Sequence, residues 1–250
     1  MKNTERFSSR VENYVKYRPH YPAAIVPYLK TETGLTSDAL IADIGSGTGI
    51  STQLFLENGN KVFAVEPNTE MREKAEQLLH HFPGFISIAG TAEHTTLPDV
   101  SVDFIIAGTA FHWFNQAAAR AEFRRILKPG GFVTLMWNVR QSALPFEHGY
   151  ENLLHQYGTD YKDMEHRKVD ASTLASFFAP YACTEHSFQN AQFMDYPALK
   201  GRLLSASYTP EKGHPSYDPM IKGLEELYEQ YQQDGVVKFH YETKLYTGQL

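Results

Sequence analysis

The feature that most constrains the fold is a glycine-rich turn between an apolar run and a helical segment. Residues 40–44 form a short apolar run, which favours a buried strand. Gly45, Gly47 and Gly49 follow at alternate positions, and residues 51–57 then show a helical pattern. Glycine permits a tight turn, and the N-terminus of the next helix presents free N–H groups and a positive dipole end. This order predicts a site for a nucleotide-like ligand.

Apolar runs and helical patterns continue to alternate as far as residue 137. The further predicted strands are residues 61–65, 85–88, 102–107 and 132–137, and the further predicted helices are residues 70–80 and 116–127. Alternation at this spacing is typical of parallel βαβ units with right-handed crossovers. We therefore expect an α/β fold in which residues 40–137 form the ligand-binding core.

The region before this core is expected to form a helical lid over residues 1–30. Its first helix should end at Arg18, because the residue before a proline avoids helical backbone. A second helix could begin at Pro22, and Pro27 should kink or shorten it. Tyr14 and Tyr17 are three residues apart and share a face of the first helix, which either closes over the ligand or packs on the sheet edge.

The region after the core loses the regular alternation. Residues 138–215 are expected to form an insertion that covers the active face. Residues 216–250, with a helical pattern followed by a long strand pattern, are expected to close the sheet. We expect residues 1–250 to form one domain.

Composition excludes several classes of protein. Lys and Arg number 23 against 29 Asp and Glu, so the net charge is −6. A mildly acidic chain lacks the concentrated basic charge that phosphate contacts need, so no nucleic-acid partner is expected.

The single Cys183 excludes an intramolecular disulfide and fits a reducing compartment. No signal-peptide pattern or apolar run of membrane-spanning length is present, so we expect a cytoplasmic protein outside the membrane. The histidines lack metal-site spacing, and no metal is expected.

The spacing of the glycines separates three classes of ligand. A P-loop needs lysine directly after its second glycine, and this chain has Ile50 and Ser51 in that region. The nicotinamide fingerprint places its third glycine at the sixth position, whereas Gly49 stands at the fifth. Glu66 ends the second strand, 21 residues after Gly45 (66 − 45). A carboxylate there can accept both ribose hydroxyls, which fits a dinucleotide and an adenosyl ligand equally.

Four segments in order resemble the class I methyltransferases that use S-adenosylmethionine (SAM). The turn preceded by Asp43 resembles their first motif, and Glu66-Pro67-Asn68 followed by Met71 resembles the second. Residues 90–98 resemble their adenine loop, with Thr91 where an aspartate is common, and residues 127–131 resemble the turn before the fifth strand. The resemblance implies a Rossmann-like fold with a seven-strand sheet, an antiparallel last strand, a helical N-terminal lid and a C-terminal substrate cover.

A narrower resemblance lies outside this core. Residues 7–22, residues 110–114 and residues 137–138 are similar to a microbial group of type 11 methyltransferases that resembles trans-aconitate methyltransferases. The family implies SAM as cofactor. Asp43 should orient the glycine turn and reach the methionine amino group, and a Tyr or Arg of the lid should approach the methionine carboxylate. Met71 either packs on adenine or fills the core. The expected cofactor-binding residues are Tyr14, Arg18, Asp43, Gly45, Ser46, Gly47, Gly49, Glu66, Pro67, Met71, Thr91, Ala92, Glu93 and Ala107.

An aromatic cluster follows the fourth predicted strand, where an open α/β sheet places its ligand crevice. We expect His112 and Trp113 to lie beside the methyl group as catalytic residues, and Phe111 to fill the core. Aromatic faces stabilise a cationic donor such as a sulfonium. In-line methyl transfer otherwise asks the protein for alignment and exclusion of water.

The sequence does not determine the chemical class of the methyl acceptor. A carboxylate acceptor is already ionised and would be anchored by arginines, for which Arg18, Arg140 and Arg202 are candidates. A hydroxyl or amine would benefit from a base, and His112 has a suitable intrinsic pKa. We expect methyl transfer to a small molecule, such as an organic acid. The alternatives are a methyltransferase acting on protein or RNA, and a SAM-binding module without turnover. The oligomeric state is left open.

Overall fold

The structure is a computed structural model that describes residues 11–159, 161 and 170–250, apart from the side chains of Val11, Asn13 and Tyr14. Its strands are β1 (Leu40–Ile44), β2 (Lys61–Val65), β3 (Phe85–Ile88), β4 (Val102–Gly108), β5 (Leu127–Arg140), β6 (Thr184–Met194) and β7 (Val237–Gly248). They form one sheet in the order β3-β2-β1-β4-β5-β7-β6, in which β1 to β5 are parallel and β7 runs antiparallel to both neighbours. The expected α/β fold, with seven strands and an antiparallel last strand, is confirmed.

Helices lie on both faces of this sheet. They are α1 (Val11–Tyr17), α2 (Ile25–Thr33), α3 (Ile50–Glu57), α4 (Thr69–Leu79), α5 (Gln116–Ile126), α6 (Pro145–Tyr157), α7 (Ala171–Phe178), α8 (Tyr196–Leu204) and α9 (Tyr217–Tyr231), with a short 3₁₀ turn at Phe111–Trp113. Asn68 and Asn115 explain where α4 and α5 begin, because each side chain accepts a backbone N–H of the first helical turn. Among the described helices, none has the length and apolar character needed to cross a membrane.

The topology of the sheet fixes where a ligand can bind. Strand β1 pairs with β2 on one side and β4 on the other, so the chain order reverses next to β1. In an open parallel sheet, the loops that leave the carboxyl ends of the strands at such a reversal diverge and leave a crevice. The glycine turn after β1 and the 3₁₀ turn after β4 therefore border one crevice.

The core strands and helices agree with the sequence pattern within one residue, except for β5. That strand was predicted over residues 132–137, but it extends from Leu127 to Arg140. It is longer because its pairing with β7 continues to Arg140 beside Tyr241. At its start the pairing with β4 is interrupted between Leu127 and Phe132, which accommodates the predicted proline–glycine turn.

The prediction of a kink at Pro27 is wrong. Helix α2 continues through Pro27 to Thr33, and buries Ile25 and Leu29 against the sheet. Pro27 lies in the first turn of the helix, where backbone N–H groups have no partner within the helix in any case. The missing N–H of the proline therefore removes no hydrogen bond from the helix.

A separate apolar cluster covers the sheet edge beyond β5. Helices α6, α8 and α9 pack together on β7, where Phe239 and Tyr241 are buried. We call these three helices the cover. The sequence pattern predicts that the covering insertion spans residues 138–215. Helix α9 of the cover lies after residue 215, whereas α7, which lies within that span, packs in the core with α5.

The first helix bridges the core and the cover. Lys74 on α4 forms an ion pair with Glu12 on α1 at 2.7 Å. The ring of Tyr17 packs on Gly201 of α8, where a Cβ atom would lie only 2.0 Å from the ring. Helix α1 therefore lies against both helices, as a lid would.

A buried carboxylate fixes the loop after β3. Glu122 on α5 accepts hydrogen bonds from the backbone N and the Oγ1 of Thr95, at 2.8 and 2.6 Å, and from the Arg125 guanidinium. The Arg125 side chain, followed by the Thr95 donors, lowers the pKa of Glu122 to about 2. Because the folded state favours the charged form, Glu122 stabilises the fold above its ordinary pKa of about 4.3 and loses this effect as the pH falls towards 2.

We predict that Glu122→Gln lowers the free energy of unfolding by about 1–3 kcal/mol at pH 7, because it weakens several charge-assisted hydrogen bonds at once. The difference from the wild type should narrow as the pH falls below about 4.3. Urea denaturation across this pH range measures both effects, and Glu73→Gln on the exposed face of α4 is the matched control. A difference that is the same at pH 7 and at low pH would contradict the assignment.

Candidate functional site

The glycine turn adopts a backbone that other residues would strain. Gly45, Gly47 and Gly49 have φ values of 69°, 57° and 89°, in the left-handed region that favours glycine. A Cβ atom on Gly45 would lie 2.7 Å from that of Ala110, and one on Gly49 would lie 2.4 Å from Leu79. The turn therefore packs closely against the loop after β4 and against α4.

Glu66 lies directly across from this turn. Its side chain is 7% exposed, and its two oxygens accept the backbone N–H groups of Gly47 and Asn68, at 2.9 and 2.8 Å. Burial raises the pKa of Glu66, and the two backbone donors oppose this effect. Each carboxylate oxygen can accept a further hydrogen bond, so Glu66 is oriented and still able to bind a ligand.

Asp43 is fully buried beneath the turn. The hydroxyls of Ser51 and Thr52, in the first turn of α3, donate to its Oδ2 at 2.7 and 2.6 Å. Burial raises the pKa of Asp43 to about 6, although these donors lower it. Within the described residues, its Oδ1 has no hydrogen-bond partner. Asp43 thus joins the end of β1 to the start of α3.

Two cavities meet at the glycine turn. The larger has a volume of about 190 Å³ and is lined by Gly45, Gly47, Glu66, Pro67, Asn68, Met71, Thr91, Ala92, Glu93, Gly108, Thr109, Ala110, Trp113 and Phe114. The smaller has a volume of about 60 Å³ and is lined by Arg18, Pro19, Tyr21, Gly45, Ser46, Gly47, Thr48, Ile50, Ser51, Gly108, Thr109, Asn138 and Arg202. An elongated ligand could occupy both.

The junction of the two cavities lies between the turn and the end of β4. Gly45 and Gly47 line both cavities on one side, and Gly108 and Thr109 do so on the other. Thr109 has a φ of 54°, unusual for threonine, and its Oγ1 lies 3.0 Å from the hydroxyl of Tyr21. A Cβ atom on Gly108 would lie 2.7 Å from that hydroxyl and 3.1 Å from Ser51, so the end of β4 packs closely at the junction.

Three arginines surround Tyr208, and two of them, Arg18 and Arg202, line the smaller cavity. Arg140 at the end of β5 pairs with Glu151 at 2.8 Å and also donates to Tyr161 and Tyr208. Arg18 donates to the backbone oxygen of Ser205. Burial alone would raise the pKa of Tyr208, but the neighbouring guanidinium groups of these two residues and of Arg202 lower it. The region is therefore electropositive.

Most of the residues expected to bind cofactor border this crevice. Those lining a cavity are Arg18, Gly45, Ser46, Gly47, Glu66, Pro67, Met71, Thr91, Ala92 and Glu93. Asp43, Gly49 and Ala107 are in neither lining. Ala107 is fully buried in β4. The side chain of Tyr14 lies outside the described residues.

The two expected catalytic residues are placed differently. Trp113 lines the larger cavity beside Phe114. His112 is half-buried and lines neither cavity, and its ring lies 4.9 Å from that of Trp113. Phe111 is fully buried among the rings of Phe114, Trp137 and Phe177, as expected for a core residue.

The sequence interpretation missed several cavity residues. Tyr21, Asn68 and Asn138 were quoted only as parts of motifs, and Thr109 was given no role. The end of β4 was a usable signal for Thr109, because residues just after parallel strands lie at the ligand crevice.

Within the described residues, no group of three or more His, Cys, Asp and Glu side chains is placed to hold a metal ion.

Comparison with known proteins finds a methyltransferase domain in this chain. A model of the methyltransferase domain matches residues 42–135, which include the glycine turn, Glu66 and the 3₁₀ turn. An uncharacterised methyltransferase of Schizosaccharomyces pombe is 28% identical over 229 residues, which cover 87% of this chain and 88% of that protein. An uncharacterised methyltransferase of Mycobacterium tuberculosis is 36% identical over 138 residues, and the chain spans about half (54%) of its length.

A solved structure shares the whole fold. A proposed type II methyltransferase from Anaeromyxobacter dehalogenans superposes with a TM-score of 0.70 at 20% identity, covering 93% of this chain and 98% of that one. The domain match and the relatives named here point to methyltransferases, and the solved structure shows that the fold is shared. Residues 42–135 therefore match the methyltransferase domain, and nearly the whole chain shares the fold of a solved structure described as a methyltransferase.

Proposed function

We propose that the protein transfers the methyl group of SAM to a small-molecule acceptor, with SAM bound across the two cavities. The adenosine part would occupy the larger cavity and the methionine part the smaller one. The sulfur joins these parts, so it would lie at the junction beside Thr109. Bound SAM supplies an electrophilic methyl group, and the residues of this chain supply binding, alignment and shielding from water.

The observation that carries the proposal is the buried carboxylate of Glu66 in the wall of the larger cavity. Its orientation is fixed in advance by the N–H groups of Gly47 and Asn68. A buried carboxylate with free acceptor capacity suits a vicinal diol, which offers two O–H donors. The ribose of an adenosyl ligand carries such a diol, and Met71, Thr91 and Ala92 on the same wall would contact its adenine.

The smaller cavity fits the methionine part. Thr48 Oγ1 is buried in its wall and, within the described residues, has no hydrogen-bond partner. Such a group favours a polar ligand, because leaving it unsatisfied costs free energy. Arg18 in the same wall would bind the methionine carboxylate, and Asp43 holds the start of α3 in place beneath it.

The acceptor would approach from beneath the cover and α1. Both lie over the crevice, and the cavities they border suit a small molecule better than a folded macromolecule. The positive charges of Arg18 and Arg202 in the wall of the smaller cavity favour an anionic acceptor such as an organic acid. An ionised carboxylate needs no general base at pH 7. For a hydroxyl or amine, His112 would serve as the base through a bridging water, because its side chain lines neither cavity.

We predict that Glu66→Ala weakens binding of S-adenosylhomocysteine (SAH) at least about tenfold, because a hydrogen bond to a charged group is worth about 1.5–3 kcal/mol. Wild-type protein should bind adenosine more tightly than 2′,3′-dideoxyadenosine, and the variant should lose this preference. Isothermal titration measures both effects, and Glu70→Ala on the exposed first turn of α4 is the matched control.

Unchanged SAH affinity in a folded Glu66→Ala protein would refute the ribose assignment. A wild-type protein that binds NADH in preference to SAM and SAH would refute the cofactor assignment itself.

We predict that His112→Ala lowers kcat at least about tenfold if the acceptor must lose a proton, since general base catalysis contributes about 10²–10⁴ in rate. SAH affinity should change less than about twofold, which is below 0.5 kcal/mol, because His112 lines neither cavity. Transfer of a labelled methyl group to a panel of small acids, phenols and amines measures turnover. His81→Ala, at an exposed position, is the control. Full activity of His112→Ala on every acceptor would remove His112 from the catalytic residues.

A further inference from the structure

We propose that Arg202 anchors a carboxylate of the methyl acceptor in the smaller cavity. This inference rests on the proposed function and adds to it the residue that would hold a carboxylate of the acceptor. It concerns recognition of the acceptor and does not identify the methylated atom.

Arg202 is buried without a full set of partners. It lies on α8, and its side chain is 3% exposed. Its Nε donates to the hydroxyl of Tyr241 at 3.2 Å, and that hydroxyl donates to Gln192 at 3.0 Å. Within the described residues, its Nη1 has no hydrogen-bond partner. One edge of the guanidinium is therefore held in place, while another nitrogen is left unsatisfied.

A buried cation without a counter-ion is expensive. Removing a guanidinium from water costs several kcal/mol unless an anion and hydrogen bonds compensate. Glu151, the acidic partner of the neighbouring Arg140, is already engaged by Arg140 and Tyr161. In the described part of the chain, Arg202 forms no ion pair with an acidic side chain. Such a residue in a cavity wall indicates a site for an anionic ligand.

The charges of the cavity wall indicate a second anionic group, in addition to the carboxylate of the methyl donor. Among the residues lining the smaller cavity, Arg18 and Arg202 are charged and both are cations. The methionine part of SAM brings one carboxylate, which Arg18 would bind, and also an ammonium and a sulfonium. After SAM binds, Arg202 still lacks an anion, and a carboxylate on the acceptor would supply it.

The shape of the group favours a carboxylate. A guanidinium presents paired N–H donors that match the two oxygens of a carboxylate. The held edge at Tyr241 keeps the guanidinium plane fixed, so little side-chain entropy would be lost on binding.

The test measures binding of four acids to the SAH-loaded protein: benzoate, phenylacetate, succinate and glutarate, each paired with its uncharged amide. Wild-type protein should bind at least one acid at least about tenfold more tightly than its amide, a difference of about 1.4 kcal/mol. Arg202→Gln should abolish that preference, and Arg202→Lys should retain part of it because the charge remains. Arg124→Gln, at an exposed position on α5, is the control.

A second experiment tests whether Arg202 binds the carboxylate of the methyl donor instead of that of the acceptor. SAH carries an amino-acid carboxylate, whereas 5′-methylthioadenosine does not. Arg202→Gln should bind both with wild-type affinity. If it weakens SAH alone, the carboxylate held by Arg202 is that of the donor, and the acceptor assignment is overturned.

The remaining outcomes are equally decisive. A wild type that binds no acid more tightly than its amide, or an acid preference that survives in Arg202→Gln, overturns the proposal. Thermal melting of both Arg202 variants establishes that they are folded; removal of an unpaired buried charge should not lower the melting temperature. Failure of the wild type to bind SAH is a different result, because it refutes the proposed function and not the role of Arg202 alone.

Discussion

The site depends on one buried carboxylate held by two loops. Glu66 directly follows β2, and it accepts one N–H from the glycine turn after β1 and one from Asn68, just before α4. Desolvation works against its charge, and the two backbone donors compensate. These hydrogen bonds therefore join the loop after β1 to the loop after β2 at the carboxyl edge of the sheet. In the proposed function, the group that stabilises this edge is also the one that recognises the sugar.

The two halves of the crevice differ in electrostatic character. The larger cavity has acidic walls, with Glu66 and Glu93, and the smaller one has basic walls, with Arg18 and Arg202. The acids come from the parallel core, whereas Arg202 comes from the cover and Arg18 from the end of the first helix. In the proposed function, the core would hold most of the methyl donor and the cover would contact the acceptor.

The core could be predicted from the sequence because its signals are local. The glycine turn, the carboxylate ending the next strand and the asparagine that caps α4 each depend on a few adjacent residues. Pro27 misled the prediction, because a helix tolerates proline in its first turn and the sequence alone did not fix where α2 begins. Contacts between distant residues could not be predicted either. Arg18 meets Ser205 across 187 residues, and Arg202 meets Tyr241 only because α8 packs on β7.

The most direct test is a crystal structure of the protein with SAH. The account predicts the adenosine in the larger cavity, with the ribose hydroxyls within hydrogen-bonding distance of Glu66 and the sulfur beside Gly108 and Thr109. A ribose bound away from Glu66, or a crevice that stays empty at saturating SAH, would contradict it.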